Sequence, residues 1–281
     1  MKVFFCWNYN ENEDKFFIEL KKRDFVRYIG YLRGLGLSSN RVASLKSAIS
    51  SLSNCIEVLD EDLYPNFRNL IKSLEAVHKE PVREKTVLTD EQVEECLDKL
   101  LAQNQCQIAC ALALSFASGM RKAELTRMKV EFFDDAHLIL NGKMYKTGII
   151  KTKGRGSNGK QIPKYVLKNK FQPYFDAWMK QREERGIESP WLFVTTSEGK
   201  FVQATVSQMN TYAEKIGALM NVPFYFHCMR HLWTTNMQKE GISDSAIAEI
   251  QSWNSLEMVK RYSDIPTEEH WAQFFNGEDK E

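Results

Sequence analysis

Two short stretches decide the fold of this chain. The first reads SGMRKAEL, from Ser118 to Leu125, and the second reads FHCMRH, from Phe226 to His231. The first stretch overlaps the end of an apolar run from Ile108 to Met120, which is too short to cross a bilayer and predicts a buried core helix. In the second stretch His227 and Arg230 lie one helical turn apart and share a helix face. Each stretch thus carries an arginine within or beside a predicted helix.

An aromatic pair downstream completes a chemical pattern. Trp253 and Tyr262 follow the second stretch. Two guanidiniums can hold the non-bridging oxygens of a phosphodiester, and a nearby phenolic oxygen can attack the phosphorus and keep the cut strand covalently attached. Taken singly, a tyrosine is usually a packing residue, and an arginine usually lies at the surface or in an ion pair. The joint spacing argues against coincidence and predicts DNA strand exchange without a metal.

The segment from about Val87 to Tyr262 resembles the catalytic domain of the tyrosine recombinases, the family of lambda integrase, Xer and Cre. The first box of that family has a small residue, Gly, a hydrophobe, Arg, two residues and Glu-Leu or Asp-Leu, which Ser118 to Leu125 match. Its second box, His-x-x-Arg-His, matches His227 to His231. Where the family usually has Leu-Gly-His, this chain has Gln251-Ser252-Trp253, a departure that is similar to Cre. An indole N–H can donate to a phosphate oxygen but cannot shuttle a proton.

The resemblance implies a role for each matching residue. Arg121 and Arg230 would hold the scissile phosphate, because arginine is planar and always charged. Tyr262 would be the nucleophile. Its reference pKa near ~10 means that its proton must be removed, and His227 is the expected acceptor. His227 and Trp253 would also donate to the phosphoryl oxygens.

Three further residues have expected roles in this scheme. In the family a lysine on a β-hairpin protonates the leaving 5′ oxygen, and Lys153, which Gly154 follows, matches that lysine. The tip is longer than usual, so Lys151 and Lys160 remain candidates for the same role. Glu124 is expected to buttress the Arg121 region, and His231 to serve as a supporting hydrogen-bonding residue. For both, a purely structural role remains open.

The elements predict a mainly α fold with a small antiparallel β-sheet, in an α+β catalytic domain that follows an N-terminal helical bundle. Residues 1–80 are expected to form a helical core DNA-binding domain, 81–87 a linker, and 88–281 the catalytic domain with a C-terminal tail helix at 266–281. Thr89 is expected to cap a helix in a capping box with Gln92. Strands are expected within 138–145 and 148–166, and helices from Asn169 to the end.

The N-terminal domain is predicted to contain three helices. The first covers Phe16 to Leu35, the second is capped by Ser38 or Ser39 and reaches Leu59, and the third covers about Tyr64 to Val77. About 80 residues are few for the corresponding domain of the family, so either a minimal version or a start within a longer protein is open. The tail helix carries Trp271, Phe274 and Phe275, and it would either pack on its own domain or dock into a neighbouring protomer.

Composition agrees with these predictions. A length of 281 residues with 43% hydrophobic content suffices for two domains, and the net charge is +1. Nine Lys or Arg residues and no acidic residue lie between Lys143 and Lys170, which predicts a basic strip that follows a phosphate backbone, although a solvated surface is the alternative. The six cysteines lack zinc-like spacing and indicate free thiols in a reducing cytoplasm. No leader or membrane anchor is expected.

The resemblance implies a site-specific DNA recombinase or integrase that works through a 3′-phosphotyrosyl intermediate. Its partner would be a double-stranded DNA recombination site, bound by a homo-tetramer with possible accessory DNA-bending factors in the nucleoid. No cofactor and no metal ion are implied. Two alternatives stay open: a type IB topoisomerase, which relaxes supercoils as a monomer, and a catalytically inactive DNA-binding regulator of recombinase origin.

Overall fold

The computed structural model describes residues 1–77, 85–152 and 159–265. The chain divides into two compact units, Met1–Glu84 and Lys85–Glu281. Helices predominate and short antiparallel strands accompany them, which confirms the predicted fold class. The predicted tail helix at 266–281 lies outside the described residues.

The first unit is a helical bundle around an aromatic core. Its helices are α1 (Lys2–Glu11), α2 (Lys22–Gly34) and α3 (Ser39–Leu59). The predicted cap of α3 is confirmed, because Ser38 Oγ accepts a hydrogen bond from the N–H of Arg41. The buried core consists mainly of aromatic and aliphatic side chains from these helices: Phe4, Trp7, Phe25, Tyr28, Leu32, Val42, Leu45 and Ile49.

Two predictions for this unit were wrong. The helix expected from Phe16 starts later, because Asp24 caps α2 by accepting the N–H of Lys21, and α1 was not predicted at all. The helix expected over Tyr64 to Val77 is reduced to a 3-10 turn, Leu70–Ser73. Asn69 explains the loss, since its side chain accepts the N–H of Ile71 and donates to the carbonyl of Ser50. A side chain that bonds the backbone in this way competes with the helix.

The second unit is built around a buried helix. This helix, α5 (Cys106–Ser118), packs against neighbouring helices of the unit, and nearly all of its side chains are buried, as predicted. The predicted capping box is also confirmed, with Gln92 N–H donating to Thr89 Oγ1 and Thr89 N–H to Gln92 Oε1. The other helices are α4 (Asp90–Ala102), α6 (Lys122–Leu125), α7 (Lys168–Glu184), α8 (Val206–Met220), α9 (Phe226–Lys239), α10 (Asp244–Ile250) and α11 (Glu257–Tyr262).

Short antiparallel strands lie between α6 and α7, as predicted. They form a three-stranded sheet in the order β1-β2-β5 and a separate hairpin of β3 and β4. Residues 153–158, at the tip of that hairpin, lie outside the described residues. The strand bounds are β1 (Leu138–Ile139), β2 (Met144–Lys146), β3 (Ile150–Thr152), β4 (Lys160–Ile162) and β5 (Tyr165–Leu167).

A further hairpin contradicts the expectation that the chain returns to helices alone after Asn169. It consists of β6 (Val194–Ser197) and β7 (Lys200–Gln203), which pair antiparallel. The two residues between them, Glu198 and Gly199, both have positive φ, at 50° and 74°. This is the backbone that a two-residue hairpin turn needs, and glycine adopts it without a steric cost.

The C-terminal helices form a small apolar cluster beside the main core. Trp233, Ile247, Ala248 and Val259 are buried in it, and they come from α9, α10 and α11. The helices that carry the candidate residues 230 and 262 therefore pack on one another. Within the described ranges, no helix is long and apolar enough to cross a membrane.

Candidate active site

Arg121 stands directly after the turn that ends the buried helix α5. Gly119 caps this helix in the left-handed conformation, with φ +61°. Glu124 then holds Arg121 at the start of α6: its Oε2 accepts the Arg121 N–H at 2.9 Å, and its Oε1 lies 3.1 Å from Arg121 Nη1. The side chain of Glu124 is buried, whereas that of Arg121 is partly exposed. Glu124 therefore buttresses Arg121, and the guanidinium keeps further N–H groups for another ligand.

Arg230 lies on α9 and is completely buried, with 0% of its surface exposed. Its Nη1 donates to the carbonyl of Gly119 at 2.8 Å, so the second box is anchored on the turn that precedes Arg121. Among the described residues, no partner accepts from Arg230 Nε or Nη2. Buried donors without a partner are costly, and an anion at this point would satisfy them.

Tyr262 and Trp253 close the other side of the same pocket. Their rings stack with centroids 4.9 Å apart and an angle of 9°. The guanidinium carbon of Arg230 lies 4.9 Å from the Trp253 ring centre and 5.5 Å from that of Tyr262. The indole Nε1 of Trp253 is buried and has no hydrogen-bond partner in the described part of the chain. The pocket thus holds unpaired donors from both Arg230 and Trp253.

The hydroxyl of Tyr262 lies 3.1 Å from Nε2 of His227. With the ring proton on Nδ1, Nε2 accepts a hydrogen bond from the phenol and is placed to take its proton. Burial, together with the charges of Arg230 and Arg121, lowers the pKa of His227 below its ordinary value. The imidazole is therefore neutral at neutral pH, which is the state that a proton acceptor requires.

The charges of the two arginines converge on this pocket. Burial and the neighbouring charge of Arg121 lower the pKa of Arg230 to about 10, which still leaves it charged at neutral pH. Burial raises the pKa of Glu124, but the nearby charges of Lys164, Arg121 and Arg230 and the Arg121 N–H outweigh it, so this pKa lies below the ordinary value. The site combines cations with one ionised carboxylate.

His231 lies beside Tyr262 and close to an acidic group. Its ring centre is 4.9 Å from that of Tyr262, and its Nδ1 lies 3.7 Å from Oδ1 of Asp264. Asp264 also forms an ion pair with Lys85, and its N–H donates to Thr235 Oγ1 at 2.9 Å. Burial first, and then the charge of Lys85, lower the pKa of His231 to about 4.

The three candidate lysines are placed differently. Lys153 lies outside the described residues, so its role remains a prediction. The carbonyl of Lys151 accepts from Arg127 Nη1. The ammonium of Lys160 donates to the carbonyl of Ser252 at 3.3 Å, which brings it next to Trp253.

Two residues to which the sequence assigned no role support the pocket. Gln251 is buried, and its Nε2 donates to the carbonyl of Ser118 at 2.8 Å, which ties the Trp253 loop to the turn before Arg121. Lys164 is buried beside Glu124, at 3.1 Å from Oε2. A lone glutamine gives no sequence signal, and Lys164 falls within the predicted basic strip. Over the described ranges, no group of three or more His, Cys, Asp or Glu side chains could hold a metal ion.

Comparison with known proteins identifies the family. The profile of the phage integrase family matches residues 86–269. The chain belongs to the phage integrase family, the tyrosine recombinases. This confirms the resemblance drawn from the two boxes.

Two relatives of this chain are named as recombinases or recombinase-like proteins. The SPbeta prophage-derived recombinase-like protein YomM of Bacillus subtilis (strain 168) is 29% identical over 219 residues, which are 77% of this chain and 64% of that protein. The tyrosine recombinase XerA of Pyrococcus horikoshii is 23% identical over 250 residues, which are 87% of this chain and 76% of that protein. The chain therefore spans less than two thirds of the length of YomM.

Solved structures share the fold of this family member. The Tn1549 transposon integrase in complex with circular intermediate DNA matches 96% of this chain and 89% of that chain, with a TM-score of 0.66 and 15% identity. The XerH site-specific recombinase bound to palindromic difH substrate matches 98% and 76%, with a TM-score of 0.62 and 16% identity. At these identities the likeness establishes the fold.

Proposed function

We propose that this protein is a site-specific DNA recombinase that cuts and rejoins DNA through a 3′-phosphotyrosyl intermediate. One observation carries the proposal. The Tyr262 hydroxyl contacts His227 Nε2 at 3.1 Å, in a pocket where buried N–H groups of Arg230 and Trp253 have no partner among the described residues. A phosphodiester placed there would accept those hydrogen bonds and present its phosphorus to the phenol.

In the proposed reaction the bond from Tyr262 Oη to phosphorus forms while the bond from phosphorus to the 5′ oxygen breaks. The phenol proton passes to Nε2 of His227, which the low pKa of this histidine keeps free to accept it. Lys153 would supply a proton to the departing 5′ oxygen. In the reverse step a 5′ hydroxyl of a partner strand attacks the phosphotyrosine, so no external energy source is needed.

The pocket's charge favours this transfer. Arg121 and Arg230 would neutralise the charge that builds up on the phosphoryl oxygens, and Trp253 Nε1 would donate to one of them. Such donors, fixed before the substrate binds, stabilise a transition state without reorganisation. Arg230 meets this requirement because Nη1 is already held by the carbonyl of Gly119.

Covalent capture of DNA tests the proposal. The full chain is mixed with a pool of nicked duplexes of randomised sequence, in which the short fragment with the 5′ hydroxyl diffuses away after cleavage and religation stops. Protein-bound DNA that survives denaturation is recovered and sequenced. We expect capture by the wild type and by Tyr145→Phe, a buried tyrosine whose hydroxyl bonds Gln172 elsewhere in the unit, and no capture by Tyr262→Phe.

The same experiment separates the alternatives. DNA binding by the wild type without any covalent product would contradict the proposal and favour an inactive regulator. Relaxation of supercoiled plasmid by the monomer, without strand exchange between two duplexes, would favour a topoisomerase. Exchange between two copies of the captured duplex is the result expected of a recombinase.

We further propose that the protein acts as a homo-tetramer on two copies of its recombination site, as the family resemblance implies, with accessory DNA-bending factors possible. Sedimentation of the protein with the captured duplex measures this assembly. Four protomers on two duplexes are expected, and a complex that stops at one protomer for each duplex under conditions of strand exchange would contradict it.

A further inference from the structure

Lys164 is a buried lysine in a stretch of sequence whose other described lysines are exposed or half-buried. Its side chain is 3% exposed, and its Nζ lies 3.1 Å from Oε2 of Glu124, whose side chain is 1% exposed. Lysines are almost never buried to this degree unless they are paired. The other described lysines between 143 and 170 are exposed or half-buried. Lys164 therefore has a different role from the rest of the basic strip.

The backbone aims Lys164 into the domain. It lies between β4 and β5, where its N–H donates to Thr147 Oγ1 at 2.9 Å and its carbonyl accepts the Thr147 N–H at 2.8 Å. Both residues are buried. These two bonds hold the segment between β4 and β5 against Thr147, and the lysine side chain lies toward Glu124 of α6 rather than toward solvent.

Glu124 contacts two cations, Arg121 and Lys164, and lies within the influence of a third, the charge of Arg230. Its Oε1 receives Arg121 Nη1, and its Oε2 receives both the Arg121 N–H and the Lys164 ammonium. The ionised Glu124 with Arg121, Arg230 and Lys164 gives a formal charge of +2, whereas the same group without Lys164 would carry +1. A buried carboxylate that loses one cation interacts more strongly with the cations that remain, here the guanidiniums.

We propose that Lys164 is a positioning residue of the active site, which neutralises Glu124 and thereby leaves the guanidiniums of Arg121 and Arg230 available to the scissile phosphate. This inference rests on the proposed recombinase function. Lys164 is too deeply buried to contact DNA, so it acts through Glu124. The lysine sets the placement of the arginines and the net charge around Glu124, and it takes no part in the bond changes.

The first test separates cleavage from binding. The duplex recovered by covalent capture is used at saturating concentration with Lys164→Met, which keeps the length of the side chain and removes its charge. We expect covalent capture to slow by roughly 10- to 100-fold, because a small displacement of a substrate-holding group has effects of this size, while the Kd for the duplex changes less than about twofold. Lys164→Arg, which restores the charge, is expected to recover part of the rate.

A matched variant controls for simple loss of stability. Val166 is fully buried in the same strand region and lies in the main core. Val166→Ala is expected to lower the Tm without slowing capture at temperatures well below its Tm. Both variants are assayed the same number of degrees below their own Tm. If Lys164→Met then slows capture no more than Val166→Ala does, the inference is overturned.

A double-mutant cycle tests whether Lys164 acts through Glu124. Glu124→Gln removes the charge that Lys164 neutralises, so adding Lys164→Met to Glu124→Gln should cost far less than the same change in the wild type. If the fold-reductions in capture rate of the two single variants multiply in the double variant, the two residues act independently and the inference is overturned. Absence of any covalent product from the wild type would instead mean that the proposed function itself fails.

Discussion

Arg230 and Tyr262 face the same pocket but belong to different parts of the catalytic unit. Arg230 follows Met229, which lies in the large core around α5, and it is bonded to the carbonyl of Gly119. Tyr262 ends the short helix α11, whose Val259 packs in the small C-terminal cluster. The proposed phosphate-holding side is thus built into the main core, whereas the proposed nucleophile lies on a smaller element that local opening can release at lower cost. On the proposed roles, the groups that would hold the phosphate are fixed more firmly than the phenol that would attack it.

The largest effect is expected on the phosphate-holding side. Arg230→Lys keeps one charge but loses the anchored guanidinium and its free donors, so covalent capture should fall by roughly 100- to 1000-fold. Capture rates with the recovered duplex measure this. Arg182→Lys is the control, since Arg182 is a buried arginine that donates to backbone carbonyls of residues 187–192 in the same unit. It should lower stability and leave capture unchanged; equal losses in both variants would contradict the comparison.

The second effect concerns pH on the nucleophile side. The pKa of His231 in the folded protein is about 4, below the ordinary value of 6.5. Between pH 4 and pH 6.5 the histidine therefore binds a proton in the unfolded chain but not in the folded one. Its contribution to stability is complete above pH 6.5 and is lost as the pH falls toward 4, by up to about 3 kcal/mol. Urea unfolding at several pH values measures the decline.

His231→Gln should flatten this decline. His137→Gln should preserve it, because His137 pairs with Asp134 elsewhere in the unit. A His231→Gln protein that loses stability with falling pH as steeply as the wild type would refute the assignment to His231.

The third effect concerns the turn that joins the two sides. Gly119 has φ +61°, and a Cβ there would lie 3.0 Å from Gln251 Nε2 and 3.1 Å from the Trp233 ring. Gly119→Ala should therefore lower the free energy of unfolding by about 2 kcal/mol. Gly142→Ala is the matched control, since Gly142 also has positive φ, at +77°, but has nothing within 4 Å of its would-be Cβ. The difference in the free energy of unfolding between the two variants measures the cost of the close contacts at residue 119. Equal losses would show that the positive φ alone determines the cost.

The smallest effect is expected from Asp264→Asn. This change removes the ion pair with Lys85 that holds the chain just beyond Tyr262. A partly exposed pair contributes at most about 1 kcal/mol, so capture should change by no more than about fivefold. Amide hydrogen exchange in α11 should accelerate, while exchange in α5 stays the same. Glu95→Gln, which breaks the surface pair with Lys99, should leave both unchanged; unaltered exchange in α11 would argue against a releasable nucleophile.

The sequence predicted the elements whose local signals are strong. The apolar run that became α5, the Thr89–Gln92 capping box and the Ser38 cap were all confirmed, because each depends on residues close together in the chain. The helix expected over 64–77 failed, since Asn69 bonds Ser50 and Ile71 in place of helical bonds, and helical spacing does not reveal such contacts.

For the site, the sequence predicted candidate residues that the structure brings close together, but not the residues that support them. The boxes are recognisable because packing alone does not require arginine, histidine and tyrosine at these fixed spacings. Lys164 gave no such signal, since a lysine in a basic stretch is ordinarily exposed and only the pairing with Thr147 turns it inward. Gln251 reaches Ser118 across 133 positions, a contact that no local pattern predicts.

The bond between Arg230 and Gly119 joins residues 111 positions apart. The chain between them contains strands β1 to β7 and helix α7, and several of its side chains, such as Ile150 and Trp178, lie in the main core. A change of loop length at the turn between β6 and β7 would therefore leave the spacing of the two guanidiniums unaltered, because the bond that anchors Arg230 does not involve that turn. The relative placement of the two arginines thus depends on one long-range hydrogen bond and not on the length of the chain between them.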